Sequence, residues 1–426
     1  MSDHLLRVAL VQRRSKGERN RLPELKELAI AAGYNPVLLV EQVREPDPKY
    51  NIGRGKVKEL KELIKSNGVT KVIFHNDLKP SQVHNLMKEW GVEVIDRFQL
   101  ILEIFSKRAG SKEAKLQIEL ARLKRELSFI KERIHLLRKE EFAGFMGGGR
   151  YEIDAHYRHA VSRIARIERT LKEIRRKKRE RVKARSIAGL STIALTGYTG
   201  AGKTTLFNKL TGEEGYIDGK PFATLSTTVR RTVIKGYKVL VADTIGFIED
   251  LPPLLIDAFY TTLEEVSMAD LILLVIDGSE ELNETERKIH ASMEALETVG
   301  VHKSKLLGAL NKIDLIGSSD EIARRVELVE EWTGIEVVPI SAMCNVNLNA
   351  LKDRIISKMP GYVRAKIKLP INDFSYSLAS KMLENACILN EVVNNGVLEI
   401  DVECKKEWLL RFVKEVSSLG GGLVLQ

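Results

Sequence analysis

The chain of 426 residues is 44% apolar and 30% charged, with a formal net charge of +10. That length accommodates about three domains, and the composition excludes a disordered or fibrous protein. No apolar run reaches membrane-spanning length, residues 1–11 lack a signal-peptide core, and Cys344, Cys387 and Cys404 show no C-x-x-C spacing, so a cytoplasmic protein with ordinary buried thiols and no zinc site is expected.

Residues 5–105 alternate short apolar runs with helical patterns. Strands are predicted at 5–11, 36–40, 71–74 and 92–95, and helices at 22–32, 56–67 and 81–90. This βαβα order implies a small parallel sheet covered by helices. The Gly-rich stretch Asn51-Ile52-Gly53-Arg54-Gly55-Lys56 precedes a helix but lacks a full phosphate-loop pattern, and it reads as a turn with an exposed basic residue rather than a second nucleotide site.

Further along, Leu116, Leu120, Leu123, Leu127, Ile130, Ile134 and Leu137 are spaced alternately by four and three, a heptad seam on a long helix. After the break Gly144-Phe145-Met146-Gly147-Gly148-Gly149-Arg150 the spacing resumes at Ala160, Ile164, Ile167, Leu171 and Ile174. Two such helices fold back as an antiparallel hairpin. Between Lys107 and Arg185, 25 Lys/Arg stand against 11 Asp/Glu, a net of +14 that leaves −4 for the rest of the chain. A charge run of one sign points to nucleic-acid phosphates. Phe142, Phe145, Tyr151 and Tyr157 near the break add candidates for base stacking.

Beyond residue 190 the pattern changes again. Ser191-Thr192-Ile193-Ala194-Leu195-Thr196 reads as a buried strand, and Gly197-Tyr198-Thr199-Gly200-Ala201-Gly202-Lys203-Thr204-Thr205 fits G-x-x-x-x-G-K-[ST]. Such a loop turns backbone N–H groups onto the phosphates of a nucleoside triphosphate. Its lysine adds charge at the β- and γ-phosphates, and its first threonine ligates Mg²⁺. The helix that follows from Leu206 points its positive dipole end the same way. Later strands are predicted at 228–235, 238–243, 271–276, 305–310 and 336–340, separated by helices, which makes a doubly wound sheet with its ligand at the carboxyl ends of the strands. Residues 361–426 form a small α/β piece with strands at 363–369 and 397–402, a helix at 374–385 and a short helix near 405–416.

Three further stations follow the phosphate loop. Asp243-Thr244-Ile245-Gly246 ends an apolar strand, where the carboxylate can hold Mg²⁺ through water and the Gly246 N–H can bond the γ-phosphate. Asn311-Lys312-Ile313-Asp314 ends another. A carboxylate at Asp314 matches the paired N–H donors of guanine and would be left unpaired by adenine, so the motif selects GTP. Ser341-Ala342-Met343 offers backbone N–H groups to the guanine oxygen. Between them, Phe222-Ala223-Thr224-Leu225 sits in a loop whose threonine can join the Mg²⁺ shell only when the γ-phosphate is present, with Thr227 and Thr228 as alternatives.

These motifs, with an α/β part and a basic hairpin ahead of them, make the chain resemble the HflX family of translation-factor-related GTPases. The resemblance implies a cytoplasmic GTPase that binds the large ribosomal subunit and its rRNA. It makes Thr224 the switch threonine and the hairpin loop the part that reaches rRNA; bacterial members also split ribosomes. No membrane or DNA partner is expected, and the chain is expected to be a monomer. The expected fold is α/β: an N-terminal α/β domain at 1–106, a long antiparallel helical hairpin at 107–187, a doubly wound P-loop GTPase domain at 188–360 and a small C-terminal α/β domain at 361–426. Lys203, Thr224 and Gly246 are the expected catalytic groups, and Thr204 and Thr224 the Mg²⁺ ligands. Phe247 stands where Ras-like enzymes carry a water-orienting glutamine, which implies slow intrinsic hydrolysis. Gly200 replaces an asparagine that many bacterial relatives use for potassium, and 144–150 matches the bacterial Gly-Pro-Gly-Glu loop only loosely, so potassium activation and ribosome splitting lose support here. Two other classes fit the same features: a nucleotide-dependent scaffold that binds a protein through the hairpin, and an ATP-driven RNA remodeller working through Gly53 to Lys56.

Overall fold

A computed structural model describes residues 6–140, 148–212, 228–244, 246–247, 266–394 and 396–425, with side chains for all of these except 132–140 and 148–154. They group into two compact bodies, one ending at Lys172 and the other beginning at Glu173.

In the first body, β1 (Leu6–Arg14), β2 (Tyr34–Val43), β3 (Lys71–Phe74) and β4 (Glu93–Asp96) form a parallel sheet in the order β2-β1-β3-β4. The crossovers run through α1 (Leu22–Ala31), α2 (Arg54–Ser66) and α3 (Pro80–Trp90), where periodicity placed them. A fourth helix, α4 (Arg97–Arg108), was not expected. Asp96 ends β4 and caps this helix, accepting from Gln99 N at 3.1 Å. Phe98, Leu100, Ile101, Leu102, Ile104 and Phe105 are all buried, which leaves Gln99, Glu103 and Ser106 as a narrow polar stripe.

The hairpin is α5 (Lys112–Glu140) and α6 (Gly148–Ile187). Arg163 Nε meets Glu119 Oε1 at 2.7 Å, and seven residues earlier on α6 His156 meets Glu126, seven residues later on α5, at 3.5 Å. The two helices are therefore antiparallel. Leu120, Ile130, Ala160, Ile167 and Leu171 are buried on the expected seam. The heptad accounts for one face only, because Ala114, Gln117, Ile118 and Ala121 are buried as well. Next to these, Arg125 binds both carboxylate oxygens of Asp96 and lies 4.4 Å over the Phe98 ring, which ties α5 to the start of α4. The side chains of Ile134, Leu137 and Tyr151 and the break residues 141–147, with Phe142 and Phe145, lie outside the described residues.

The second body is built on β5 (Ser191–Gly197), β6 (Thr228–Ile234), β7 (Tyr237–Asp243), β8 (Leu271–Asp277), β9 (Leu306–Asn311) and β10 (Val337–Pro339), in the order β10-β9-β8-β5-β7-β6. Only β6, on the edge, pairs antiparallel. Helices α7 (Lys203–Thr211), α8 (Leu282–Thr298), α9 (Ser319–Thr333) and α10 (Leu348–Lys358) complete the α/β units. Alternate residues of the central strands enter two separate cores. Ile193, Leu195, Leu271 and Leu273 pack on one face, and Ala194, Ile272, Leu274 and Ile276 on the other. That is why these strands read as continuous apolar runs.

The C-terminal piece is an antiparallel sheet of β11 (Tyr362–Pro370), β12 (Cys387–Asn394), β13 (Val397–Lys405) and β14 (Gly422–Leu425) in the order β12-β13-β11-β14. It carries α11 (Asp373–Leu383), and the single helix expected at 405–416 is two short ones, α12 (Lys406–Leu410) and α13 (Val413–Ser418). Buried Lys405 pairs with Asp270 at 2.7 Å. Lys238 Nζ donates to the Glu384 carbonyl at 2.8 Å, and Asn385 Nδ2 to that of Ala188 at 2.8 Å. Cys387 and Cys404 are buried, whereas Cys344 is exposed, contrary to the expectation that all three thiols are internal. Among the described residues no helix is long and apolar enough to cross a membrane.

Candidate functional site

The carboxyl ends of β5, β7, β8 and β9 bring the motifs together. β5 delivers Gly197, and α7 starts at Lys203. Two glycines here are dictated by space. A Cβ on Gly197 (φ +137°) would lie 2.1 Å from the Val275 carbonyl oxygen, and one on Gly202 (φ +92°) 2.3 Å from Asn311 Nδ2. Lys203 is 8% exposed, and its Nζ donates to the carbonyls of Gly197 at 3.0 Å and Tyr198 at 2.7 Å. Burial pushes its pKa down to about 8, with the Asp243 carboxylate pulling the other way. A buried ammonium hydrogen-bonded to backbone carbonyls fits a site that receives an anion.

Thr204 Oγ1 donates to Asp243 Oδ2 at 3.1 Å. These hard oxygens suit Mg²⁺, and Asp243 is 2% exposed at the end of β7. Thr244 Oγ1 bonds the Leu195 carbonyl at 2.6 Å. A Cβ on Gly246 would lie 2.7 Å from Lys203 Nζ, so backbone and ammonium approach as closely as glycine allows. Phe247, which the motif marks only by the absence of a glutamine, has a structural job. Its N–H donates to the Gly197 carbonyl and its carbonyl accepts from Thr199 N, both at 2.9 Å, while its ring is buried in the core beside Tyr198 and Ile272. The segment after β7 is thereby stitched to the phosphate loop. Ile245 and the segment with Phe222, Ala223, Thr224 and Thr227 lie outside the described residues; Thr228 opens β6.

On the other side of the loop, Asn311 is 3% exposed. Its Nδ2 donates to the Ala201 carbonyl at 2.8 Å, and its Oδ1 accepts from Ala342 N at 2.9 Å. One side chain thus joins the phosphate loop to the Ser341-Ala342-Met343 turn. Lys312 has φ +66°, and its Nζ is 2.6 Å from Asp277 Oδ2, a partner no motif foretold. Asp314 is exposed, Ser341 and Ala342 are buried, and Met343 is 70% exposed. Thr199, Gly200, Ala201 and Thr205 complete the loop. The structure assembles no such cradle at Gly53: its N–H is taken by Gln42 Oε1 at 2.8 Å, and the Arg44 guanidinium packs where a Cβ would be.

Comparison with known proteins agrees with this geometry. Residues 19–106 match the family described as GTP-binding GTPase N-terminal, 108–185 the GTP-binding GTPase Middle Region and 192–312 the 50S ribosome-binding GTPase. The chain is 52% identical to GTPase HflX of Thermofilum pendens over 93% of each chain. It is 39% identical to GTPase HflX of Methanocaldococcus jannaschii, over 95% of this chain and 98% of the relative. It is 33% identical to GTPase HflX of Escherichia coli over 82% of each. The crystal structure of SsGBP with GDP is 32% identical and covers 83% of this chain and 98% of its own, at a TM-score of 0.53. The chain therefore belongs to the HflX family of GTPases, P-loop enzymes that bind GTP and GDP with Mg²⁺ and hydrolyse GTP.

Proposed function

We propose that this enzyme is a GTP-switched factor that acts in the cytoplasm on the large ribosomal subunit and its rRNA. The observation that carries this reading is the joining of a guanine-nucleotide site to a segment of net charge +14 that ends in an exposed helix: Arg176, Lys177, Arg179, Arg181 and Lys183 are exposed around α6. The match of 192–312 to a family described as 50S ribosome-binding supports the choice of partner. For a division into 1–106, 107–187, 188–360 and 361–426, the families matched at 19–106, 108–185 and 192–312 support the first two boundaries, and the separate sheet that begins at Tyr362 supports the third.

In this reading residues 197–205 hold the triphosphate. Lys203 transfers its N–H donors from the Gly197 and Tyr198 carbonyls to the β- and γ-phosphate oxygens, where it offsets charge developing in the transition state. Asp314 takes the N1–H and exocyclic amine of guanine, with the Met343 N–H on its oxygen side, since Asn311 already holds the N–H of Ala342. Gly246 offers its N–H to the γ-phosphate. The Thr204 and Thr224 hydroxyls beside Asp243 would hold Mg²⁺, which would supply neutralisation of phosphate charge. Phe247 is buried and apolar, so this position orients no water, and turnover is slow until the ribosome supplies that function.

Sucrose-gradient sedimentation with large subunits tests the reading. Co-sedimentation is expected with a non-hydrolysable GTP analogue and not with GDP, and it is expected to weaken steeply with salt. Equal sedimentation in both nucleotides, or none in either, refutes it.

A further inference from the structure

We infer that Asp277 is a positioning residue for guanine recognition, acting through Lys312. The inference rests on the assignment of Asn311 to Asp314 to the base. In the sheet, β8 lies between β9, which ends in that motif, and β5, which ends in the phosphate loop. Asp277 is the last residue of β8 and stands opposite Asn311 in the parallel register. Its side chain is 11% exposed and both carboxylate oxygens are engaged. Oδ1 accepts from Ser279 N at 3.0 Å and from Ser279 Oγ at 2.6 Å, which locks the carboxylate into its own turn. Oδ2 faces Lys312 Nζ at 2.6 Å.

The turn itself is fixed to the motif. Gly278 N donates to the Asn311 carbonyl at 2.8 Å, and a Cβ at Gly278 would lie 2.9 Å from that oxygen. From the opposite side, Arg325 Nη1 donates to the carbonyls of Gly278 at 2.8 Å and Glu280 at 2.6 Å. Asp277 is thus presented by a rigid bracket. Lys312, by contrast, occupies a left-handed backbone conformation that non-glycine residues adopt at a cost. The Lys312 carbonyl accepts from Leu315 N at 3.0 Å, so the same conformation sets the short turn that carries Asp314. Anchoring the ammonium to Asp277 holds Lys312 in that state. The carboxylate of Asp314 is then presented in one orientation before the base arrives, and preorganisation of this kind appears directly in affinity.

The test is Asp277→Asn, which keeps an oxygen for Ser279 and removes the charge opposite Lys312. Calorimetry with GDP and with ADP reads the effect, because the two nucleotides share the phosphate loop and differ at the base. GDP affinity is expected to fall about tenfold, as for loss of a charged hydrogen bond in a partly exposed pair. ADP affinity is expected to stay unchanged, and Lys312→Met is expected to reproduce the pattern. In the Lys312→Met background Asp277→Asn adds nothing. Unchanged GDP affinity, equal loss for both nucleotides, or a full further loss in the Lys312→Met background each overturns the inference. Lys312→Met alone decides the matter if Asp277→Asn does not fold: failure to lose GDP selectively refutes it. Asp314→Ala separates the two levels. If that variant still discriminates GDP from ADP, the base assignment fails. If it does not discriminate and Asp277→Asn is silent, only the role of Asp277 falls.

Discussion

Asn311→Ala offers the sharpest measure of how the site is held together. The wild-type amide satisfies two groups at once: the carbonyl of Ala201, a residue 1% exposed in the phosphate loop, and the N–H of Ala342, also 1% exposed. Truncation leaves both buried and without that partner. An orphaned buried polar group costs about 1–3 kcal/mol, so the two together cost about 2–6 kcal/mol. That is a large share of a domain stability of about 5–15 kcal/mol. Space works against repair by a neighbour, since the Gly202 backbone lies so close to Asn311 Nδ2 that a Cβ there would sit 2.3 Å away. Urea titration of the nucleotide-free proteins, with intrinsic fluorescence and circular dichroism as separate probes, reads the difference. Asn311→Asp is the companion variant: it keeps an acceptor for Ala342 N but sets a carboxylate against the Ala201 carbonyl, and it is expected to be at least as damaging. GDP affinity should fall in both, because the loop loses its tie to the guanine side. A loss below about 0.5 kcal/mol in Asn311→Ala, within the range of ordinary surface substitutions, would refute the view that this amide carries the coupling.

Gly202→Ala combines a left-handed backbone with a direct clash on Asn311, and at least a tenfold loss of GDP affinity is expected in a fluorescent-nucleotide titration. The pH dependence follows from Lys203. Its pKa is lowered in the folded state from 10.5 to about 8, so between those values the unfolded chain binds more protons. This group's contribution to the stability of the nucleotide-free protein therefore rises with pH across that window, by about 3 kcal/mol in all. The rise should be absent from Lys203→Met when both proteins are titrated with urea at pH 7.5 and 10. Asp270→Ala leaves the Lys405 ammonium buried without its carboxylate and removes the acceptor 2.8 Å from Thr192 N. A loss of about 3 kcal/mol is expected, largely recovered in the Asp270→Ala/Lys405→Met double variant; additive losses would refute the pairing.

Much of the site was legible because its chemistry is local. A phosphate loop needs glycines and a lysine within nine residues, and the strand before it and helix after it carry their own periodicity. What the sequence concealed are features made by pairing at a distance. Asp277 is one of many acidic residues after an apolar run, and only the β8–β9 register places it beside Lys312. The helix α4 escaped because its polar stripe, Gln99, Glu103 and Ser106 at helical spacing, is narrow, and most of the remaining surface is apolar and buried. Strand β12 escaped for the opposite reason: all of its residues after Cys387 are exposed, and its identity as a strand comes from pairing with β13. Phe247 read as a missing glutamine, since nothing local shows that its backbone is bonded to the phosphate loop on both sides.

The contacts of the C-terminal sheet bear on the same site from the opposite end of the strands. Lys405 pairs with Asp270, which precedes β8, and Asp270 Oδ2 accepts from Thr192 near the start of β5. Lys238, the second residue of β7, donates to carbonyls at the end of α11, and the Tyr237 ring meets that of Tyr362 edge-on at 5.3 Å. β5, β7 and β8 are the strands whose carboxyl ends present Gly197, Asp243 and Asp277. A short loop keeps its geometry only as well as the strand feeding it keeps its register. Register here is fixed at both ends: by the buried amide of Asn311 and the backbone pair of Phe247 on one side, and by the Lys405–Asp270 ion pair on the other. The small sheet thus contributes to the precision of a site about a strand's length, or roughly 20 Å, away.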